Sequence, residues 1–525
     1  MKRWLAPFLA GAVVTAAFPA AAPGARAEEA PALVAKGRTL LGKGDYPGAR
    51  DAFLAAVARD GKSVEARRGA AEALLGLGQP DAAVDQAFAG LSLVEDRDAG
   101  LWLLAARGFL LKGDTLAPEQ TQEIQDAYAD AKAKASLALK NDPALHAARA
   151  VLAKACRLTD DPDRAAQVLA EGLEKAPKDF DLLFEKGMVH IKKGFYTDAL
   201  EAFDGAAGSD PRSGEAQFQR GFCLAFLGRW EDSYAAFAKA AILDPSSRKP
   251  LQYLAKYAKD KSRSWYREIL KERPDHAWAH AYLAYYLAYG KDEAGAVSES
   301  KSALALQPED PDLLAWHGQV LEILGRKPEA RGYFVKALQK NPQTKIAWDR
   351  LADFATNPGS GAKLDERKEA VEFLGRVRTD DGIFWNNAGL MYRDLAKDYR
   401  RSLEAYLKAA ALAPGDQGIQ NDTGLIYLYH GPSIGVDPAL GLPFFERSLA
   451  LVDEEGQAPE MGYRDTLENL SWFYMTVEKN PEKALLYATK RNDPEWYGTL
   501  PKEIAQPSPK AQQVKDWAER ELKRR

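Results

Sequence analysis

Few residues in this chain have types and spacing that could do chemistry. Gly431, Ser433 and Gly435 fit the G-x-S-x-G spacing of an esterase nucleophile elbow. That geometry works only where a strand of a parallel sheet turns into a helix. Here the motif joins two segments of helical period, so it reads as an ordinary turn. Gly61-Lys62-Ser63 has the ending of a phosphate loop, which needs a glycine five residues before its second glycine and a strand ahead of it. That earlier position is Ala56, inside a helical pattern. His276 and His280 share a helical face and have the spacing of a metal pair. Only Asp275 lies near them in sequence, and His280 falls at an inward packing position. His146, His190, His317 and His430 are scattered through the chain. No nucleophile–base–acid grouping, metal set or cofactor motif emerges. The expectation is a non-enzymatic protein with no catalytic residue, cofactor or metal.

The aromatic pattern is more informative. Trp278, Tyr282, Tyr285 and Tyr289 form one stripe along a helix. Inter-helix packing in that helix falls to His280, Leu283, Ala284 and Leu287, so the stripe points elsewhere. Phe218, Phe222 and Phe226 make a comparable row earlier, Phe184 and Met188 precede it, and Trp316 follows the stripe. Two readings stay open: the rings line a binding surface, or they pack against neighbouring helices.

The elements that must position these residues recur. Gly187, Gly194, Tyr196, Ala199, Phe203, Ala206 and Pro211 reappear 34 residues later as Gly221, Gly228, Trp230, Ser233, Phe237, Ala240 and Pro245. Gly in mid-helix costs about 1 kcal/mol relative to Ala. That cost makes sense where a second helix must come close. Gly194 and Gly228 sit where a helix must stop, and Pro211 and Pro245 where the next unit begins. The skeleton resembles the tetratricopeptide repeat, a helical hairpin of this period. The resemblance implies an all-α, right-handed α-solenoid of about a dozen hairpins with a C-terminal capping helix. It runs over 28–355, interrupted by a short repeat at 248–274, and resumes over 364–491. Asn357 to Gly361 suggest a flexible interruption at 356–363. A Pro-rich loop follows at 492–509. The capping helix, 510–525, turns Ala511, Val514, Trp517 or Ala518, and Leu522 to one face.

The first 27 residues stand apart. Lys2 and Arg3 precede an apolar run from Leu5 to Phe18, and Ala25-Arg26-Ala27 supplies small residues for a peptidase. This predicts a signal peptide cut between Ala27 and Glu28. The Ala/Gly/Arg-heavy leader has a bacterial composition. The protein is expected to be periplasmic or secreted, without stable membrane insertion, because no later segment approaches the ~20 apolar residues of a span. Removing Lys2, Arg3 and Arg26 takes the formal charge from −4 to −7. With no long basic run, nucleic acid is an unsuitable partner. Cys156 and Cys223 fall two repeats apart, too distant for a disulfide.

The resemblance also implies where partners bind. First helices of such repeats line a concave groove. Phe184, Met188, Phe218, Phe222, Phe226, Trp278, Tyr282, Tyr285, Tyr289 and Trp316 are the expected groove residues. They suit a protein or peptide partner, with a cell-wall glycan or other small ligand as the alternative. In clamp-type relatives, Asn and basic residues hold a peptide carboxylate. Asn386, Asn387, Asn421 and Asn469 take the Asn places with Arg393 as a cation, but the remaining basic partners are missing.

Overall fold

The structure, a computed structural model, describes residues 23–455, 461–493 and 506–525, with side chains described outside 23–28, 260 and 452–463. Among the described residues the regular elements are helices, 27 of them α-helices. They fall into two compact units divided after Pro274.

The first unit contains seven hairpins. They pair Pro23–Gly42 with Tyr46–Arg59, Val64–Gly76 with Pro80–Leu91, Ala99–Thr115 with Thr121–Asn141, and His146–Leu158 with Pro162–Lys175. Phe180–Lys193 then pairs with Tyr196–Ser209, Gly214–Phe226 with Trp230–Leu243, and Lys249–Tyr257 with Ser262–Glu272. The second unit contains six. They pair Ala277–Tyr289 with Glu293–Leu306, Pro311–Ile323 with Lys327–Lys340, and Lys345–Thr356 with Leu364–Val377. Gly382–Met391 then pairs with Tyr399–Leu412, Gln417–His430 with Leu442–Glu455, and Met461–Thr476 with Pro481–Arg491. Helix Pro509–Arg524 ends the chain. Within each unit, first helices also touch the first helices of neighbouring hairpins. Each unit is an α-solenoid.

The local chemistry explains the hairpins. Asp179 accepts a bond from Leu182 N at 3.0 Å, and Ser213 from Ala216 N at 3.1 Å; each satisfies an orphan donor at a helix start. Gly194 closes its helix at φ 78°, a left-handed conformation that costs glycine little. Gly221 explains the mid-helix glycines. A Cβ there would lie 2.7 Å from the Phe237 ring. The missing side chain lets the second helix seat its phenylalanine against the first helix's backbone. Gly187 with Phe203, and Gly318 with Phe334, repeat the arrangement.

Departures from the repeat are absorbed locally. The seventh hairpin has a nine-residue first helix, and Tyr266 takes the phenylalanine place, fully buried, its hydroxyl donating to Leu251 O at 3.0 Å. Segment 356–363 is the connection inside a hairpin, built on a 3₁₀ turn at Pro358–Ser360. Ala511, Val514 and Ala518 of the terminal helix are completely buried against a cluster that includes Leu470 and Phe473. That is the cap expected at an open repeat end. Cys156 and Cys223 are buried free thiols. The expected leader lies outside the described residues through residue 22; beyond that, the backbone belongs to the first helix. The expected loop at 492–509 lies outside them over 494–505. No helix among the described residues is long and apolar enough to cross a membrane.

Candidate partner-binding surfaces

In the first unit the aromatic residues form a continuous ladder. Tyr196 and Phe226 stack at 4.3 Å with 13° between their planes. Phe226 meets Phe222 at 4.8 Å, and Phe222 meets Tyr253 at 6.3 Å. Tyr253 leads to Tyr257 at 5.6 Å, and Tyr257 stacks near Trp230 at 6.0 Å. The ladder therefore joins two first helices, Gly214–Phe226 and Lys249–Tyr257, to the starts of two second helices. Its inner side is anchored by Phe218, which is buried and meets Tyr253 edge-on at 5.0 Å. Its outer rings are open: Phe226 is 56% exposed and Trp230 45%. The ammonium of Lys256 lies 5.0 Å from the Tyr257 ring centre. The arrangement offers flat apolar faces with one cation beside them.

Phe184 and Met188 lie one hairpin earlier, both half-buried. Phe184 stacks on Phe180 at 5.8 Å and meets Phe203 edge-on at 5.4 Å. It also lines a cleft of about 170 Å³ with Arg107, Lys154, Asp181 and Glu185. Burial pushes the Glu185 carboxyl up, while Arg157, 3.1 Å away, opposes the shift. Asp181 is pushed up by burial and then by the charge of Asp179.

The stripe in the second unit divides between packing and exposure. Trp278 and Tyr282 are buried, with Trp316 from the next first helix at 6.0 and 4.7 Å. Tyr285 is half-buried, 5.3 Å from Trp316, and Tyr289 is 61% exposed. The two phenol oxygens lie 3.4 Å apart. Leu283, Ala284 and Leu287 are buried as their positions require.

The ten expected groove residues are thus not equivalent. Phe218, Trp278 and Tyr282 give their rings to packing. Phe184, Met188, Phe222, Tyr285 and Trp316 keep part of their surface, and Phe226 and Tyr289 keep most of it. Sequence reasoning missed Tyr253 and Tyr257. Their i, i+4 spacing is readable in the short seventh repeat, outside the regular register. Tyr196 and Trp230 belong to the repeat skeleton and also extend the ladder.

The residues considered for chemistry have structural roles. Ser433 lies in a 3₁₀ turn, and its hydroxyl donates to His430 O at 2.7 Å. Ser63 caps helix Val64–Gly76, accepting from Ala66 N at 3.2 Å. His280 Nδ1 lies 2.5 Å from Glu299 Oε2, and His276 is buried. Among the described residues no group of three or more His, Cys, Asp or Glu is placed to hold a metal. Three of the four clamp-type asparagines tie hairpins together. Asn386 donates to Asp422 at 3.1 Å, and Asn421 Oδ1 accepts from Thr466 and Asn469 at 3.2 Å each. Arg393 is held by Asp394 through bonds of 2.7 and 2.9 Å.

The tetratricopeptide-repeat family model matches residues 34–95 and 184–248. A DnaJ protein P58IPK homolog from Arabidopsis thaliana is 27% identical over 195 residues, 34% of this chain and 40% of the relative. The chain thus spans about two fifths of that curated relative's length. Similar solved structures include TTC0263, a thermophilic TPR protein of Thermus thermophilus. It is 16% identical, with TM-score 0.34, covering 37% of this chain and 99% of that one. YrrB, described as a TPR protein with an unusual peptide-binding site, is 19% identical with TM-score 0.28, covering 39% and 98%.

Proposed function

We propose that this chain, a member of the tetratricopeptide-repeat family and so a protein-interaction scaffold, holds an extended protein segment against the ladder Tyr196–Phe226–Phe222–Tyr253–Tyr257–Trp230. The observation that carries this reading is the unbroken run of ring contacts whose outer members stay exposed. Aromatic side chains supply large contact area with few rotatable bonds, which suits them as anchors. Binding is non-enzymatic in this reading: the ladder holds a partner and changes no bond in it. The leader at 1–27 supports a place in the periplasm or outside the cell. Amino-terminal sequencing of the mature chain should begin at Glu28, and an uncut chain in the cytoplasm would refute the placement.

The binding test uses peptides selected by the wild-type chain from a random displayed library. Affinity for them should fall when Phe226, Trp230 and Tyr257 become Ala together, with helicity unchanged. Equal affinity in a folded triple variant would sink the proposal. The stacked Trp230 and Tyr257 also fit the apolar face of a sugar. A saturable thermal shift with cell-wall fragments, lost in the same variant, would favour a glycan carrier instead.

A further inference from the structure

A cluster of aromatic and charged groups lies in the second unit, where the terminal helix meets the last hairpins. Lys510 is the second residue of helix Pro509–Arg524. Its ammonium lies 4.6 Å from the Tyr429 ring centre and 4.9 Å from that of Trp472. It also donates to the Tyr429 hydroxyl and sits 3.8 Å from Glu468 Oε1. The Trp472 ring, the Tyr429 hydroxyl edge and a carboxylate thus converge on one cation. Ring quadrupoles attract cations most strongly when the cation is partly desolvated. Here burial pushes the Lys510 amine down, while Glu468 and Asp465 oppose that shift.

The terminal helix does not need this contact for its own sake. A cation in the first turn opposes the helix dipole, which favours anions there. The helix is capped by Ser508, which accepts from Ala511 N at 3.1 Å. It is seated by Ala511, Val514 and Ala518, all completely buried. The Lys510 side chain can therefore swing out while its helix stays docked. The mouth of the cage is open: 30% of the Lys510 side chain is exposed, and Tyr429 is 37% exposed.

We propose that the Tyr429–Trp472–Glu468 cage is a recognition site for a lysine side chain of a partner protein, occupied in cis by Lys510 as a tethered competitor. The chemistry is specific. Trp472 accepts the stem and the cation, and the phenol oxygen and Glu468, which also lies 3.7 Å from Arg491, favour a charged, hydrogen-bonding head. The site shares no residue with the aromatic ladder, so its failure would leave that proposal standing.

The test uses the full chain and a capped single lysine, Nα-acetyl-lysine N-methylamide, with the norleucine analogue as the neutral control. Lys510→Ala empties the cage. That variant should bind the capped lysine ~tenfold or more tighter than wild type, the scale of one desolvated cation–π contact. A further Glu468→Gln should weaken binding again, and the norleucine compound should not bind. Equal affinity of wild type and variant, or equal binding of the norleucine compound, overturns the proposal. Lys510→Gln, which keeps the stem and removes the charge, serves if the alanine chain melts early. Absence of binding in both variants also overturns it.

Discussion

Phe218 and Phe226 lie two turns apart on one helix, and changing each to alanine separates folding from binding. Phe218 is 7% exposed and packs 5.5 Å from Phe237 and 5.0 Å from Tyr253. Removing such a ring leaves a cavity and costs about 3–5 kcal/mol. Phe226 is 56% exposed, so less than half its burial is at stake. Full burial of a phenylalanine is worth about 1.5–3 kcal/mol, which leaves about 1 kcal/mol here. Loss of the Tyr196 stack adds about 0.5–1.5 kcal/mol. Urea unfolding with hydrogen exchange on helix Gly214–Phe226 measures the stability term; calorimetry with a library-selected peptide measures binding. Phe218→Ala should destabilise strongly and affect binding mainly through the folded fraction. Phe226→Ala should cost about 1.5–2.5 kcal/mol, roughly half as much, and lower affinity about tenfold or more, as an anchor does. A Phe226→Ala chain that binds normally, or that loses as much stability as Phe218→Ala, refutes this division of roles.

Glycine substitutions should divide by what surrounds them. Gly221→Ala places a Cβ 2.7 Å from Phe237 and 3.2 Å from Ser233 O, and should lower urea stability by about 1–3 kcal/mol. Gly208→Ala meets nothing within 4 Å, and should stabilise its helix by about 0.5–1 kcal/mol. His317 should make the second unit acid-sensitive. Burial is the main cause, and Lys301 and Arg326 add to it; together they bring its imidazole down to about 4, while Nδ1 lies 2.8 Å from Ser300 Oγ. The folded state keeps His317 neutral, whereas the unfolded chain takes up a proton below its ordinary value of about 6.5. Its stability contribution is therefore complete above that pH and is lost on acidification toward pH 4, by up to about 3 kcal/mol. NMR titration of the ring and acid unfolding of His317→Gln check this; an imidazole titrating at 6.5 or above contradicts it.

The hairpins were legible because their constraints are short-range. Gly221 and Phe237 lie 16 residues apart, and the close approach they permit recurs with the 34-residue period. Even the short seventh repeat recovers its register, because Tyr266 fills the same space and its hydroxyl finds the Leu251 carbonyl. Which rings remain open was not legible. Trp278, Tyr282, Tyr285 and Tyr289 share one stripe, but periodicity reports a direction and not what lies there. Trp316 comes within ring contact of the first three, and Tyr289 remains exposed. Burial along one stripe was decided by a ring 27 residues beyond its last member.

The polar chemistry of the last hairpins was hidden for the same reason, over longer separations. Asn386, Asn421 and Asn469 have the positions of groove amides in their own helices. Their partners come from other hairpins: Asn386 meets Asp422, and Asn421 joins Asn469 across 48 residues. An amide bonded in this way stiffens the stack and has less capacity left for a ligand. Lys510 is a longer-range case still, since it reaches Tyr429 from 81 residues away. No local spacing marks Tyr429, Trp472 and Glu468 as a set, because the set exists only when two first helices lie side by side. A helical repeat thus specifies its packing residues locally. Its functional surface comes from whatever adjacent hairpins bring to the faces that packing leaves open.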